Sequence, residues 1–485
     1  MPFRQSHLLF FLPLFCLAIV RGWLMPLPGS FTLDETGTLS FVNASFQDVL
    51  ARVPGTIQSP LYILALWLWA QLFGLSEVSL RLPSVLAALG AAWYLYRLAR
   101  RWDSPFTGLS AALLFLALPA NIELFTQARQ YSLAALAATF AACHLDLWLV
   151  SPRWPHCLSI AFALALLAHL HPLNAGFGLA IVVAVALPCP LRRLFLPAPQ
   201  VATLFLLPLL LALPVFPQYL SNFRASDVFI YTPRPALADW SFLWENISPS
   251  GNLLLALLLA AVFFRTRFSP PVLPLARFRL LLLWLTLPPF FVFVFSRLSS
   301  PVFALRYFAT AFPAFALLLV FALRLLQPHR ARRIALACFV LLSVAAAWSS
   351  ALWPQPGAFR AASLAIEQSA PPPSTPVLFN AGFIEGNALA FLQDPQYSHF
   401  LRAPLHPYPV PGRILLLPKH LTPTTQPYVD QLLAPLQQEP RIFIYSSDPH
   451  WHQHLRLHFG KSWYATSPHP YITDLRRLPS STDNK

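Results

Sequence analysis

Long apolar stretches separated by short breaks rich in Pro and Arg run through residues 1–353. A bilayer span needs roughly 17 to 25 mainly apolar residues. On that measure the pattern predicts helices near 7–27, 83–99, 106–125, 131–150, 157–171, 175–190, 201–220, 251–264, 280–296, 303–323 and 334–353, about eleven spans. The run 61–73 is too short to cross: it begins after Ser59-Pro60 and ends at Gly74. It reads as a helix lying in the interface, with Trp67 and Trp69 at headgroup level. From about residue 354 the pattern changes. Strand-like runs at 377–379, 413–417 and 441–445 alternate with helix-like runs at 358–368, 385–392 and 428–437, the order of a small α/β layer domain. The expected architecture is therefore a polytopic all-α membrane domain over 1–353, with its first outer loop at 28–82, followed by an extracytoplasmic α/β domain over 354–485.

Composition narrows the class. At 56% hydrophobic and 11% charged residues, with mean hydropathy +0.57, a 485-residue chain is too apolar to be a soluble globular protein. Its 41 Phe and 14 Trp exclude a disordered chain, which would have to keep them wet. The 50 prolines fit a membrane protein, where neighbouring helices re-satisfy the carbonyls that Pro frees. Cys16, Cys143, Cys157, Cys189 and Cys338 all lie in or beside apolar runs and imply no disulfide framework. Phe15, directly before Cys16, does not fit a small-residue cleavage site, so the first helix reads as a retained anchor.

The net charge of +15 raises the question of nucleic acid. The arginines lie between the apolar runs rather than in a basic groove with interleaved aromatics, so that partner is excluded. Their placement sets topology instead. With the N-terminus cytoplasmic, the inner segments hold 15 arginines against Asp103 and Asp146, while the outer ones hold eight against eight acidic residues. That asymmetry satisfies the positive-inside rule, and an extra span at 61–73 would destroy it. The tail then lies outside. Arginine-rich inner loops and only three lysines point to a bacterial plasma membrane.

Candidate chemistry gathers on the outer side. Asp34-Glu35 follows the first helix, and two adjacent carboxylates at a membrane surface are a candidate general base and partner. Further along come Ser59-Pro60-Leu61-Tyr62, Arg81-Leu82-Pro83-Ser84, Gln127-Ala128-Arg129-Gln130-Tyr131, His169-Leu170-His171-Pro172 and Arg306-Tyr307, with Pro313 beyond. A guanidinium suits bidentate phosphate binding, which makes Arg129 the first candidate for a phosphate and Arg81 and Arg306 the next. His169 and His171 are two residues apart, a spacing that turns helical rings away from one another and favours hydrogen bonding or packing over a metal pair. In the tail, His450, His454 and His458 share a helix face and His452 lies between them, a spacing that suits a transition metal and also occurs in solvated clusters.

In their order and common side, these motifs resemble the polyprenyl-phosphate-sugar-dependent glycosyltransferases of the GT-C fold, bacterial relatives of protein O-mannosyltransferases and of the aminoarabinose transferase of lipid A. The resemblance covers most of residues 1–353. It implies an inverting transferase that takes a sugar from a polyprenyl-phosphate donor, within the membrane lipids, to an unknown extracytoplasmic acceptor (protein, lipid or polysaccharide), without a metal or other cofactor. It further implies that Asp34 deprotonates the acceptor, Glu35 helps position it, and Arg129, with Arg81 and Arg306, holds the donor phosphate. Tyr131, His169 and His171 would line the substrate site. Gln127 stands where relatives often carry Glu, so a carboxylate role passes, if anywhere, to Glu123 one turn earlier. A rival class is a lipid or solute transporter, which would place ionisable residues at the bilayer midplane, often in repeated halves. Here the acidic residues lie mainly at outer helix ends, and no repeat is evident. A non-catalytic scaffold carrying an exported binding domain is a third class.

Overall fold

Helix starts along the chain follow their local punctuation. Ser59, Ser76 and Ser104 each accept a hydrogen bond from a backbone N–H in the following turn, and Pro60 and Pro105 occupy first-turn positions that have no N–H to lose. The protein is described here from a computed structural model covering residues 5–52, 59–187, 196–224, 232–240, 273–324, 326, 329–349 and 358–478. It divides into two compact units: 1–28, 47–224 and 232–353 form unit 1, and 29–46, 225–231 and 354–485 form unit 2.

Unit 1 is helical. Four described helices are long and apolar enough to cross a membrane: Glu77–Trp102, Tyr131–Val150, Ala198–Ser221 and Leu275–Leu298. A bent pair, Pro105–Ala117 and Pro119–Phe125, makes a fifth if counted as one span. The chain is a multi-pass membrane protein. The 62° bend falls at Pro119, and the Asn121 side-chain amide donates to the Phe115 carbonyl (2.7 Å), taking over a partner that the break removes. Helices lie at each expected span except 251–264, which falls outside the described residues. Two differ in form. The first continues from Gln5–Leu17 into a π-helical stretch, Ala18–Leu24, whose Trp23 donates to the Leu116 carbonyl at 2.8 Å. The span expected at 303–323 divides into a 3-10 turn, Leu305–Phe308, and the helix Phe312–Arg324. Small residues permit close crossings: a Cβ on Gly108 would lie 2.7 Å from the Tyr96 carbonyl, and one on Gly176 2.8 Å from Pro288.

Unit 2 is built on a five-stranded sheet in the order β2-β1-β3-β5-β4, with β1 Pro376–Asn380, β2 Arg413–Leu416, β3 Arg441–Ser446, β4 Trp463–His469 and β5 Ile472–Arg477. Central β1 pairs in parallel with β2 and β3, Leu378 opposite Leu415 and Ile444, and the β3-β5-β4 edge is antiparallel. Leu378, Ile442, Ile444 and Leu475 pack against Val429, Leu433, Trp451 and Leu455 from the helices Gln426–Leu433 and Pro449–Phe459. The loop segment 29–46 belongs to this unit although it follows the first membrane helix. The Phe31 N–H donates to the Tyr408 hydroxyl (2.8 Å), the Arg360 N–H to the Ser30 hydroxyl (3.4 Å), and Phe41 stacks on Phe400. Gly37 makes the approach possible, since a Cβ there would stand 3.2 Å from the Phe400 ring.

Candidate functional site

Within unit 1, motifs far apart in sequence meet pairwise. Ser59 caps the helix Pro60–Phe73 and donates its hydroxyl to the His169 carbonyl (2.8 Å). Ser84 donates to the Arg129 carbonyl (3.2 Å), joining the Arg81-Leu82-Pro83-Ser84 stretch to the Gln127 to Tyr131 stretch. Arg129 and Tyr131 are both buried, and the Arg129 guanidinium lies over the Tyr131 ring, 5.7 Å from its centroid. His171 stacks on Tyr307 (4.9 Å), whose other neighbour is the Arg306 guanidinium at 5.4 Å. Arg306 and Arg129 are the guanidiniums whose charge reaches the His171 ring. The cluster thus joins Arg129, Tyr131, His171, Arg306 and Tyr307 from three separate helix boundaries.

Two planar guanidiniums with aromatic rings beside them are of the chemistry that suits an anion with several oxygens. Buried polar atoms on residues near these in sequence have no partner among the described residues: Gln130 Oε1 and Ser132 Oγ on either side of Tyr131, and Thr310 Oγ1 three residues beyond Tyr307. Such atoms are costly in an apolar interior and fit a site that completes itself with a polar ligand or water.

The other two expected substrate residues of this unit have backbone partners. Arg81 is buried in the first turns of Glu77–Trp102 and donates from Nη1 to the Leu27 (2.9 Å) and Pro26 (3.3 Å) carbonyls. It ties the end of the first helical segment to the next span. The His169 ring nitrogen Nε2 lies 2.9 Å from the Leu211 carbonyl, whereas His171 Nδ1 accepts from the Leu173 N–H at 3.2 Å. The pair therefore divides as its spacing predicts. Tyr307 carries no signal in the sequence beyond its adjacency to a candidate cation.

Asp34 and Glu35 lie in unit 2, in the first turn of the helix Leu33–Val42. Thr32 caps that helix and Glu35 returns the bond: its Oε2 accepts from the Thr32 N–H at 2.8 Å, completing a capping box. Glu35 is buried and Asp34 half-buried. Another carboxylate, Glu385, is buried in the 3-10 turn Ile384–Asn387, and Asp34 is among the charges acting on it. No motif in the sequence pointed to Glu385, because the fold alone brings a tail residue to the helix that carries Asp34.

His450, His452, His454 and His458 all lie on the helix Pro449–Phe459. His452 has both ring nitrogens engaged, Nε2 with the Ser446 carbonyl (2.9 Å) and Nδ1 with the Thr473 hydroxyl (2.8 Å), while His458 Nε2 lies 3.2 Å from Gln437. Among the described residues no group of three His, Cys, Asp or Glu is placed to hold a metal ion.

This fold, with one helical unit and one unit built on a five-stranded sheet, is of the GT-C type seen in solved ArnT structures. Two solved structures carry the likeness. ArnT from Cupriavidus metallidurans bound to undecaprenyl phosphate superposes with a TM-score of 0.59 at 14% identity, over 97% of this chain and 98% of the other. The same protein in the apo state gives 0.59 at 14%, over 96% and 97%. Residues 57–220 match the family described as dolichyl-phosphate-mannose-protein mannosyltransferase. No curated protein sequence matches the chain.

Proposed function

We propose that this protein is an inverting membrane glycosyltransferase that moves a sugar from a polyprenyl-phosphate donor to an acceptor on the outer face of a bacterial plasma membrane. The observation that carries the reading is the cluster of Arg129, Arg306, His171, Tyr131 and Tyr307, assembled from the separately spaced motifs on a fold shared with ArnT. Arg129 and Arg306 hold the donor phosphate; Tyr131, His171 and Tyr307 shape its surroundings. Arg81 and His169, tied to backbone carbonyls, support the frame of that site.

The reaction assigned to Asp34 is proton removal. As an acceptor hydroxyl or amine attacks the anomeric carbon, its proton passes to the Asp34 carboxylate. The new bond forms on the face opposite the phosphate, and the bond from the anomeric carbon to the phosphate oxygen breaks with its electron pair. Polyprenyl phosphate leaves with that charge spread over its oxygens, where guanidiniums stabilise it. Asp34 then returns the proton to solvent. Glu35, locked in its capping box, keeps the first helical turn, and with it Asp34, in place.

The test is transfer from labelled polyprenyl-phosphate sugars to envelope material, comparing membranes with wild type and Asp34→Asn at matched expression and insertion. Loss of transfer supports the reading. Full transfer by the inserted variant defeats it and favours a transporter or scaffold.

A further inference from the structure

Three helices of unit 1 meet around a narrow pocket at an arginine-rich end of that unit. Phe106, Thr107 and Ser110 line it from Pro105–Ala117, Leu323 and Arg324 from Phe312–Arg324, and Arg332 from His329–Ser349. It holds about 10 Å³, room for a single oxygen atom. Arg332 is 5% exposed, and its hydrogen-bond partners among the described residues are the Leu326 carbonyl, which accepts from Nε, and His329 Nδ1, 3.4 Å from Nη1. Neither is an anion. Arg324, across the pocket, pairs with Asp103 at 2.7 Å, and the Asp103 charge also reaches Arg332, so one carboxylate stands against two guanidiniums. A buried cation without its own counter-charge is costly. Its position adds to the cost: His329, Arg330, Arg332 and Arg333 fall in the first turns of a 21-residue helix whose first turn has no acidic residue. That end is the positive pole of the helix, where anions are favoured and cations are not.

We propose that this pocket binds the phosphate of an anionic membrane lipid, one oxygen entering between Arg324 and Arg332 and the rest of the headgroup staying outside. The phosphate supplies the missing negative charge and meets the free N–H groups of the helix start, which offsets both costs at once. A lipid fits better than a free anion because the same helix exposes Ile334, Leu341 and Leu342, which the helical period places on one face, as apolar surface for acyl chains. Basic pockets between membrane helices are of the chemistry that selects such headgroups. The site stands apart from the transferase reading.

Full-length protein in neutral detergent is titrated with dioleoyl-phosphatidylglycerol, with dioleoyl-phosphatidylcholine and with inorganic phosphate. Bound lipid is counted by native mass spectrometry and stability is read by thermal shift. Wild type should bind a phosphatidylglycerol about tenfold more tightly than phosphatidylcholine and gain melting temperature from it. Arg332→Gln should lose that preference and most of the gain, whereas Arg153→Gln, at an exposed arginine before the helix Trp154–Leu170, should keep both. Because glutamine removes an unbalanced buried charge, Arg332→Gln is expected to melt no lower than wild type when lipid is left out. A phosphatidylglycerol with a photoreactive headgroup should crosslink wild type on Phe312–Arg324 or His329–Ser349, a readout that needs no variant. Equal binding of the two lipids, an equal phosphatidylglycerol gain in Arg332→Gln, or crosslinks confined to other helices overturn the proposal. Stabilisation by inorganic phosphate at matching concentration assigns the pocket to a free anion and overturns the lipid.

Discussion

Asp146 and the Arg129–Arg306 cluster show two ways in which one helical unit handles buried arginine. Asp146, fully buried in Tyr131–Val150, accepts from Arg101 (2.6 Å), Trp102 (3.0 Å) and Arg277 (3.0 Å), and nearby Arg324 is paired with Asp103 (2.7 Å). These carboxylates join Glu77–Trp102, Tyr131–Val150 and Leu275–Leu298 where the basic residues predict a cytoplasmic face. Arg129 and Arg306 lie over tyrosine rings, and Gln130 and Ser132, flanking Tyr131 in sequence, carry buried polar atoms that have no partner among the described residues. Carboxylates link helices directly in the first cluster, whereas in the second the guanidiniums are set among aromatic rings. The contrast teaches that arginine count says little about function until its neighbours are known.

Substitutions can break that contrast or sharpen it. The largest effect is expected outside both clusters, at Asp34: Asn should lower transfer about 10²- to 10⁴-fold, the range of a lost general base, with insertion and thermal stability retained. Arg129→Gln should lower kcat/KM for the polyprenyl-phosphate donor by about 10- to 100-fold through lost charge-assisted hydrogen bonds, with the melting temperature little changed. Asp146→Asn should do the opposite. It strands two guanidiniums and should destabilise the protein by about 3–5 kcal/mol in a detergent thermal-shift assay, while transfer per folded molecule stays close to wild type. If Asp146→Asn abolished transfer without loss of stability, or Arg129→Gln unfolded the protein, the division between the clusters would fail.

Two smaller effects extend the comparison to unit 2. Burial opposes ionisation of Asp474, yet hydrogen bonds from Arg441 (2.7 and 2.9 Å) and Arg476 (3.0 and 3.1 Å) hold its carboxyl below the ordinary range. The stability it contributes is therefore complete above the unfolded value, near pH 4, and is lost as pH falls through the lower folded one. Asp474→Asn should flatten that acid dependence in circular dichroism of the full-length protein. Glu35→Gln, which keeps a capping acceptor but removes its charge, should cost about 0.5–1 kcal/mol. Glu35→Ala, which removes the acceptor, should cost more and lower transfer in proportion to the loss of order at Asp34.

Periodicity and punctuation were enough to locate most helices. The span expected at 131–150 has those bounds in the structure, because an uninterrupted apolar run ends at Ser151 and the following Pro152. The tail strands at 377–379 and 441–445 likewise fall inside β1 and β3. Irregular breaks were less legible. The bend at Pro119 and the 3-10 turn at Leu305–Phe308 depend on which neighbour takes up the freed carbonyls, and hydropathy carries no record of that. Of the candidate site, Arg129 and Arg306 were legible as cations at outer helix ends. Their meeting across His171 and Tyr307 was not, because it depends on packing between segments more than 100 residues apart.

By itself the amino-acid order determined that the bilayer is this chain's solvent and that its tail changes to an α/β pattern, since each follows from local composition and a period of two or 3.6 residues. Only the tertiary structure decided that the Asp34 helix packs on the tail's Pro395–Leu401 helix and Ala403–Leu405 turn, and that Glu35 serves a capping box. The physical reason is distance along the chain. Some 350 residues separate Gly37 from Phe383 and Phe400, and no local pattern encodes their packing at the helix surface.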